Sequence, residues 1–251
     1  MILHPYPSSP QNLPTSSGFV SGWEAIFRTQ KAPASSWLLV AQPDHAALAG
    51  DLARRIESDY FPPLEDEVLQ GISLHDEGWN AFDGKAMVRD GRPLSFLDLG
   101  PSDFLQAWRD SIDCAERAGP VAGLMVSRHF SRLGNVSLQS RGHDPEVSKF
   151  VQQEMARQDR LMQLQLRSAD EICVLVDVLQ FCDLLSLYLS CGSQENVEFP
   201  QKFRDASIRL RREGELCRTE PSLFGGGASL GVMARKYPAE AGDVSIPVLV
   251  V

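Results

Sequence analysis

The chain has 251 residues, of which 43% are hydrophobic and 23% charged, and its formal net charge is −9 at pH 7. This length and balance are typical of a globular protein with a sizeable core, and they exclude a chain that is disordered throughout. The acidic surface repels phosphate backbones, which argues against nucleic acid as a partner.

Five cysteines at irregular spacings, none in a Cys-x-x-Cys pair, argue against a disulfide framework and predict a reducing, cytoplasmic location. Residues 1–18 are rich in proline and serine and lack the apolar stretch of a secretory signal, so we predict a flexible leader. Residues 172–189 are apolar enough to suggest a membrane span, but they include Asp177 and Asp183. Because carboxylates at mid-bilayer depth are costly, we predict a buried core helix and no membrane association.

Two short apolar segments after the leader predict a small β element. Residues 23–28 include aromatic and β-branched side chains, and residues 36–41 contain the run Trp37-Leu38-Leu39-Val40. The segment between them contains a proline and predicts a turn. We therefore expect the two segments to pair as an antiparallel hairpin on the outside of a helical body.

The first two predicted helices each place a histidine on their apolar face. In the helix that begins near Asp44, His45 shares a face with apolar residues four, seven and eleven positions further on. The next helix covers about residues 65–76 and ends in the pair His75-Asp76. Gly78 follows where a helix C-terminal glycine belongs, so the pair lies at the inner end of an amphipathic helix.

A loop rich in glycine and proline follows over residues 80–101, and two further helices are predicted over residues 102–118 and about 120–130. His129 lies on the apolar face of the second of these helices. The next helix starts at Asp144, an N-cap residue followed by a first-turn proline, and continues to about residue 166.

A capping box at residues 168–171 starts the most apolar predicted helix, residues 172–189. A helix that is apolar on all sides is buried, so Asp177 and Asp183 need a cation, a metal or several donors. The tail, residues 193–251, has three consecutive glycines and scattered prolines. For the tail we expect irregular structure with one or two strands.

Three histidines and two carboxylates thus lie on core-facing positions of separate predicted helices. Imidazole and carboxylate groups that converge in a helical core are the usual ligands of a divalent metal. The sequence therefore predicts one metal site. Two ligands bound at roughly 2.1 Å to one metal cannot be far apart, so His45 and His75 are expected within about 3 to 5 Å of each other.

The order His45, His75-Asp76, Asp183 resembles the H…HD…D signature of the HD-domain superfamily, which comprises helical metal-dependent phosphohydrolases. Three local strings also resemble a narrower, largely uncharacterised bacterial family: Gln42-Pro43-Asp44-His45, His75-Asp76-Glu77-Gly78-Trp79 and Ser127-Arg128-His129-Phe130. The resemblance covers roughly residues 20–190. It implies a mainly α fold: an HD-like helical bundle over residues 19–192 with a small peripheral β element, and residues 193–251 as an extension packed on the same domain.

The resemblance also implies a chemistry. One or two divalent ions, Fe, Mn, Zn or Mg, would activate a water that hydrolyses a small phosphate ester or nucleotide. The implied ligands are His45, His75, Asp76 and Asp183, with His129 as an added ligand. Asp76 could also bridge two metals, Arg128 could hold a phosphate oxygen, and Glu154 could assist as a base.

Each of these residues also has a structural interpretation. A buried histidine could satisfy a core hydrogen bond, His75-Asp76 could only orient Trp79, Arg128 could form a salt bridge, and Asp177 rivals Asp183 as the last ligand. Two other functions stay open: a di-iron oxygenase that uses His129, and a non-catalytic module that binds a small ligand. The identity of the metal, the substrate and the oligomeric state also stay open.

Overall fold

A curled eight-stranded mixed sheet and a set of helices share one core in the computed structural model, which describes residues 1–6, 18–238 and 242–251. Of the described residues, 52% are helical and 23% lie in strands. The predicted HD-like helical bundle with a small peripheral β element is therefore wrong, because the sheet is a major layer of the structure.

Eight α-helices lie in the described part of the chain, and most begin or end at the local signals that the sequence contains. Asp144 accepts hydrogen bonds from the first backbone N–H groups of one helix, and Ser168 and Glu171 form a capping box at the start of another. The helices are α1 (Gly22–Lys31), α2 (Gln42–Arg54), α3 (Asp66–Leu74), α4 (Asn80–Asp83), α5 (Pro101–Ala118), α6 (Pro120–Arg141), α7 (Pro145–Met162) and α8 (Ala169–Cys191).

Helix α6 continues well beyond the end predicted near residue 130. A glycine within it, Gly134, allows α7 to approach closely, since a Cβ at this position would lie 2.8 Å from Cγ2 of Val151. A glycine that looks like a helix breaker in the sequence is thus a packing contact in the structure.

The large sheet has the strand order β1-β3-β9-β10-β8-β7-β6-β2. Its neighbours are antiparallel except for the parallel pairs β10 with β8 and β2 with β6. The strands are β1 (Ile2–Tyr6), β2 (Val20–Ser21), β3 (Ser36–Val40), β6 (Val197–Phe203), β7 (Ala206–Glu213), β8 (Leu216–Glu220), β9 (Ala228–Tyr237) and β10 (Asp243–Val250); β4 (Val88–Arg89) and β5 (Arg92–Pro93) form a separate two-stranded ribbon.

The predicted N-terminal hairpin is wrong. Residues 23–28 lie in α1, and residues 36–40 form β3, which pairs with β1 and β9 instead. Trp23 and Phe27 are four residues apart, so they share a face of α1, with ring centroids 6.4 Å apart. Six residues of mixed aromatic and apolar character do not distinguish such a helix from a strand.

Part of the predicted flexible leader is a strand of the large sheet. Ile2 and Leu3 are fully buried, and the side-chain amide of Gln30 exchanges two hydrogen bonds with the backbone of Leu3, at 2.7 and 2.9 Å. Because β1 is an edge strand, the backbone N–H and C=O of Leu3 would otherwise lack a partner, and the Gln30 amide supplies one for each. Residues 7–17 of the leader lie outside the described residues.

The described residues of the tail form five strands rather than one or two. In β7, Ile208 and Leu210 are buried, while Arg209 and Arg211 between and beside them pair with glutamates on the neighbouring strands. This alternation with a period of two is the signal of a half-buried strand. The glycines and prolines of the tail mark the turns between its short strands. Their frequency led to the prediction of mostly irregular structure despite this alternation.

Helix α8 lies at the centre of the molecule and contacts α1, α2, α3, α6 and the strands β1 and β6. Within the described residues it is the one helix long and apolar enough to cross a membrane, and 78% of its most apolar window is buried inside the protein. The predicted core helix is thus confirmed, and both layers of the fold are packed against it.

We expect the substitution Phe199→Ala in β6 to lower the free energy of unfolding by about 3–5 kcal/mol, because it leaves a cavity in a shared core. The Phe199 ring is 2% exposed and lies 5.0 Å, between centroids, from Phe181 of α8. Urea denaturation followed by circular dichroism would measure the loss. Met233→Ala on β9 is the control, since Met233 is 48% exposed and its loss should change stability by less than about 0.5 kcal/mol. If Phe199→Ala also changed the free energy of unfolding by less than about 0.5 kcal/mol, the shared core between α8 and the strands of the tail would be contradicted.

Candidate metal centre

Four elements place five polar side chains in one buried cluster. His45 lies in the first turn of α2, His75 and Asp76 directly follow α3, His129 lies in the middle of α6, and Asp183 lies in α8. None of the five residues is more than 6% exposed. They meet because α2, α3 and α6 each pack on α8 with the apolar face that carries the histidine.

The distances within this cluster suit the ligands of a single ion. One ligand atom from each of His45, His75 and Asp183 lies within 4.8 Å of the other two. Nε2 of His45 is 2.9 Å from Oδ2 of Asp76, and Nε2 of His75 is 3.3 Å from Oδ1 of Asp183 and 3.9 Å from Oδ2 of Asp76. Two ligand atoms that are each about 2.1 Å from one ion can be at most about 4.2 Å apart. Donor atoms that lie up to 4.8 Å apart therefore need to move together only slightly when an ion binds.

The hydrogen bonds of His45 fix which of its ring nitrogens faces the cluster. Ser186 donates its hydroxyl proton to the backbone carbonyl of Asp183 at 2.8 Å, and its oxygen lies 2.9 Å from Nδ1 of His45. Because that proton is already used, Oγ accepts and Nδ1 donates. Nε2 is left facing the carboxylate of Asp76. Ser186 was not predicted from the sequence, although it lies one turn after Asp183 on the same helix.

His75 is fixed in the same way by the backbone. Its Nδ1 donates to the carbonyl oxygen of Ile72, 2.7 Å away, so its Nε2 also faces the carboxylates. Metal-ligating histidines commonly donate their second ring N–H to an oxygen in this manner. The two Nε2 atoms and a carboxylate oxygen of Asp183, which lie within 4.8 Å of one another, therefore fit a divalent metal, and the carboxylate of Asp76 lies beside both histidines.

The electrostatics of the cluster favour a positive charge at its centre. Burial acts to lower the pKa of His75, but the carboxylates of Asp76 and Asp183 outweigh it and raise this pKa to about 9. Burial likewise opposes ionisation of Asp183, yet the hydrogen bond and charge of His75 lower the pKa of this carboxyl. In the metal-free protein, a proton on His75 thus occupies the place that a cation would take.

His129 lies beside this centre rather than within it. Its Nε2 is 3.8 Å from Oδ2 of Asp183, and its ring centroid is 5.6 Å from that of His75. Its Nδ1 is buried and has no hydrogen-bond partner in the described part of the chain. Burial, with repulsion from His75, overcomes the attraction of Asp183 and lowers the pKa of His129 to about 4. The structure thus offers His129 as a neutral imidazole at the edge of the cluster.

The structure does not bring Arg128 or Glu154 to the cluster. Arg128 hydrogen-bonds to Sγ of Cys173 at 3.5 Å and to a backbone carbonyl near the start of α8. Glu154 accepts a hydrogen bond from Ser127 at 2.8 Å and pairs with Arg157 at 3.1 Å. Positions 127 and 129 are about 200° apart on a helix, so a partner of Ser127 on α7 cannot also face the histidine.

Asp177, the rival of Asp183, lies away from the histidines. It forms an ion pair with Arg132 at 2.5 Å, and its side chain is 41% exposed. The six-residue separation on α8 turns it toward α6 and solvent, whereas Asp183 faces the cluster. Asp183 is therefore the aspartate of α8 that this structure places beside His75.

Comparison with known proteins identifies a family but no characterised relative. A sequence model of the family described as protein of unknown function (DUF3891) matches residues 26–240 of the chain. No curated protein and no solved structure gives a significant match.

We expect Asp183→Asn to lower the affinity for Mn²⁺ or Zn²⁺ by at least about 100-fold, because it removes a charged ligand and keeps the shape of the side chain. Asp177→Asn is the matched control on the same helix and should bind metal like the wild type. Metal analysis of dialysed protein, together with competition titration, would measure both. Loss of metal in Asp177→Asn but not in Asp183→Asn would reverse the assignment.

We also expect metal binding to release a proton. With a pKa of about 9, His75 is protonated at pH 7 in the metal-free protein, and the ion must displace that proton. Calorimetry with Mn²⁺ in buffers of different ionisation enthalpy should detect about one proton at pH 7, and fewer as the pH rises through 9. The affinity should rise with pH up to that point. An affinity that does not change between pH 7 and 9 would contradict this.

Proposed function

We propose that this chain, which belongs to the DUF3891 family of proteins of unknown function, is a metal-dependent hydrolase of a small phosphate ester or nucleotide. The observation that supports this most strongly is the orientation of His45 and His75. Each uses its Nδ1 proton in a hydrogen bond, and each presents Nε2 to a buried carboxylate.

The residues of the chain would hold the ion, and the ion would supply the chemistry. A bound divalent metal lowers the pKa of a bound water and polarises a phosphoryl oxygen. His45 and His75 would bind as neutral imidazoles, while Asp76 and Asp183 supply two negative charges that a divalent ion neutralises. Two nitrogens and two oxygens favour Fe, Mn or Zn over Mg. Burial of all four residues excludes bulk water and strengthens each of these interactions.

We take the class of substrate from the order of the ligands along the chain, which resembles that of the HD-type phosphohydrolases. The basic side chains of the sheet do not suggest nucleic acid as an alternative. Arg209, Arg211 and Arg218 each pair with a glutamate on a neighbouring strand. We therefore infer a small-molecule substrate. We also infer a cytoplasmic location, since all five cysteines are free thiols.

One observation favours a second candidate, a di-iron oxygenase. His129 extends the cluster beyond four ligands, and its Nε2 lies near the oxygen of Asp183 that does not bond to His75. Ferrous reconstitution without oxygen, followed by exposure to oxygen, would test this through optical spectra and oxygen uptake. Oxygen uptake that His129→Gln abolishes would support the oxygenase, and its absence would remove this candidate.

For the hydrolase, we expect metal-free protein reconstituted with Mn²⁺, Fe²⁺ or Zn²⁺ to release phosphate from at least one member of a panel of phosphate monoesters, diesters and nucleotides. His75→Ala should lower kcat by at least about 10³-fold, because the ion that activates the water is lost. Asp177→Asn, the control, should retain wild-type kcat. Phosphate release would be followed directly in a discontinuous assay.

A wild-type protein that binds metal but releases no phosphate from any panel member would contradict the proposed hydrolase activity. If a panel member nevertheless raised its melting temperature, the result would favour a non-catalytic module that binds the same ligands.

A further inference from the structure

The two carboxylate oxygens of Asp76 have different partners. Oδ1 accepts a hydrogen bond from Nε1–H of Trp79 at 3.1 Å. Oδ2 faces the histidines, 2.9 Å from Nε2 of His45 and 3.9 Å from Nε2 of His75. Trp79 is 3% exposed, so its indole N–H and the carboxylate meet in a buried environment, where such a bond is strong. Trp79 therefore lies behind Asp76 in the interior of the protein.

The backbone around Trp79 leaves the indole little freedom. Gly78 donates its backbone N–H to Oγ of Ser111 in α5 at 2.9 Å, and a Cβ at position 78 would lie 2.1 Å from the carbonyl oxygen of Ala107. The turn is therefore pressed against α5 at a position that only glycine allows. The Trp79 ring also meets the edge of Phe82, with centroids 5.9 Å apart. These contacts fix the direction from which the indole reaches Asp76.

The same turn is attached to the helix that carries the first histidine. Oδ2 of Asp83 accepts a hydrogen bond from the backbone N–H of Gln42, at the start of α2, at 2.6 Å. One turn of α2 separates Gln42 from His45. The segment 75–83 thus contacts the cluster through Asp76 and the start of the histidine-bearing helix α2 through Asp83.

We propose that Trp79 is a positioning residue: by bonding to Oδ1, it presents Asp76 to a bound ion through the single oxygen Oδ2. This inference rests on the proposed metal site. Without the indole N–H, the carboxylate can rotate about its Cβ–Cγ bond, so that either oxygen or both face the cluster. Trp79 therefore sets both the strength of metal binding and the way in which Asp76 binds.

The test uses Co²⁺ as the probe and two measurements. We expect Trp79→Phe, which keeps an aromatic ring but lacks the N–H, to weaken Co²⁺ binding by about 10–100-fold, the range for a residue that orients a ligand. In infrared difference spectra of metal-loaded minus metal-free protein, the wild type should show widely separated carboxylate stretches, as for binding through one oxygen. In Trp79→Phe this separation should become smaller.

Two further variants keep the test decisive. Trp37→Phe is the matched control, since Trp37 is 6% exposed and packs in a separate apolar cluster with Leu3 and Leu39. It should change neither measurement. If Trp79→Phe does not fold, a benzothienylalanine at position 79, in which sulfur replaces the indole N–H, gives the same comparison with almost the same shape.

Both changes are required by the proposal, so wild-type behaviour in either measurement overturns it. A loss of affinity with an unchanged separation of the stretches would mean that Trp79 acts only through packing. If the wild-type protein itself does not bind Co²⁺, the proposed metal site fails instead, and that result is distinct from a failure of Trp79.

Discussion

Two carboxylates, Asp76 and Asp183, are buried beside three imidazoles, and the surrounding fold has to compensate their charge. An uncompensated charge such as Asp183 in an apolar helix would cost several kcal/mol, so its neighbours must supply a cation or a proton. In the metal-free protein, His75 supplies the proton, and its pKa of about 9 reflects how strongly the site favours positive charge. The same electrostatic demand explains why a divalent ion suits the cluster.

This constraint is met because α8 is common to both layers of the fold. One side of α8 receives the helices that carry the histidines, and the other sides receive α1 and strands of the sheet. The sheet is therefore part of what holds Asp183 in place, through contacts such as that between Phe181 and Phe199. A helical bundle alone would leave this face of α8 exposed to water, and the helix is too apolar for that.

The direction of each group in the cluster depends on a partner that is not itself a ligand. The hydroxyl of Ser186 and the carbonyl of Ile72 fix the ring nitrogens of the two histidines, and the indole of Trp79 fixes the carboxylate of Asp76. Such partners hold a site in its binding geometry before the ion arrives, which lowers the entropy cost of binding. The fit of the site to a metal thus rests on these outer contacts as much as on the ligands.

Most of the helices, though not α1 or the full length of α6, can be predicted from the sequence alone, because the period of 3.6 residues is a local property. The sequence placed His45, His75, His129 and Asp183 on apolar faces, and α8 in the core. The large sheet could not be predicted in this way, because β1, β3 and β9 are distant in sequence and the pairing between them leaves no local sign. The tertiary structure also decided which polar residues meet. The contacts of Arg128, Glu154 and Asp177 depend on how α6, α7 and α8 are rotated against one another, and that rotation is set by packing across the whole core.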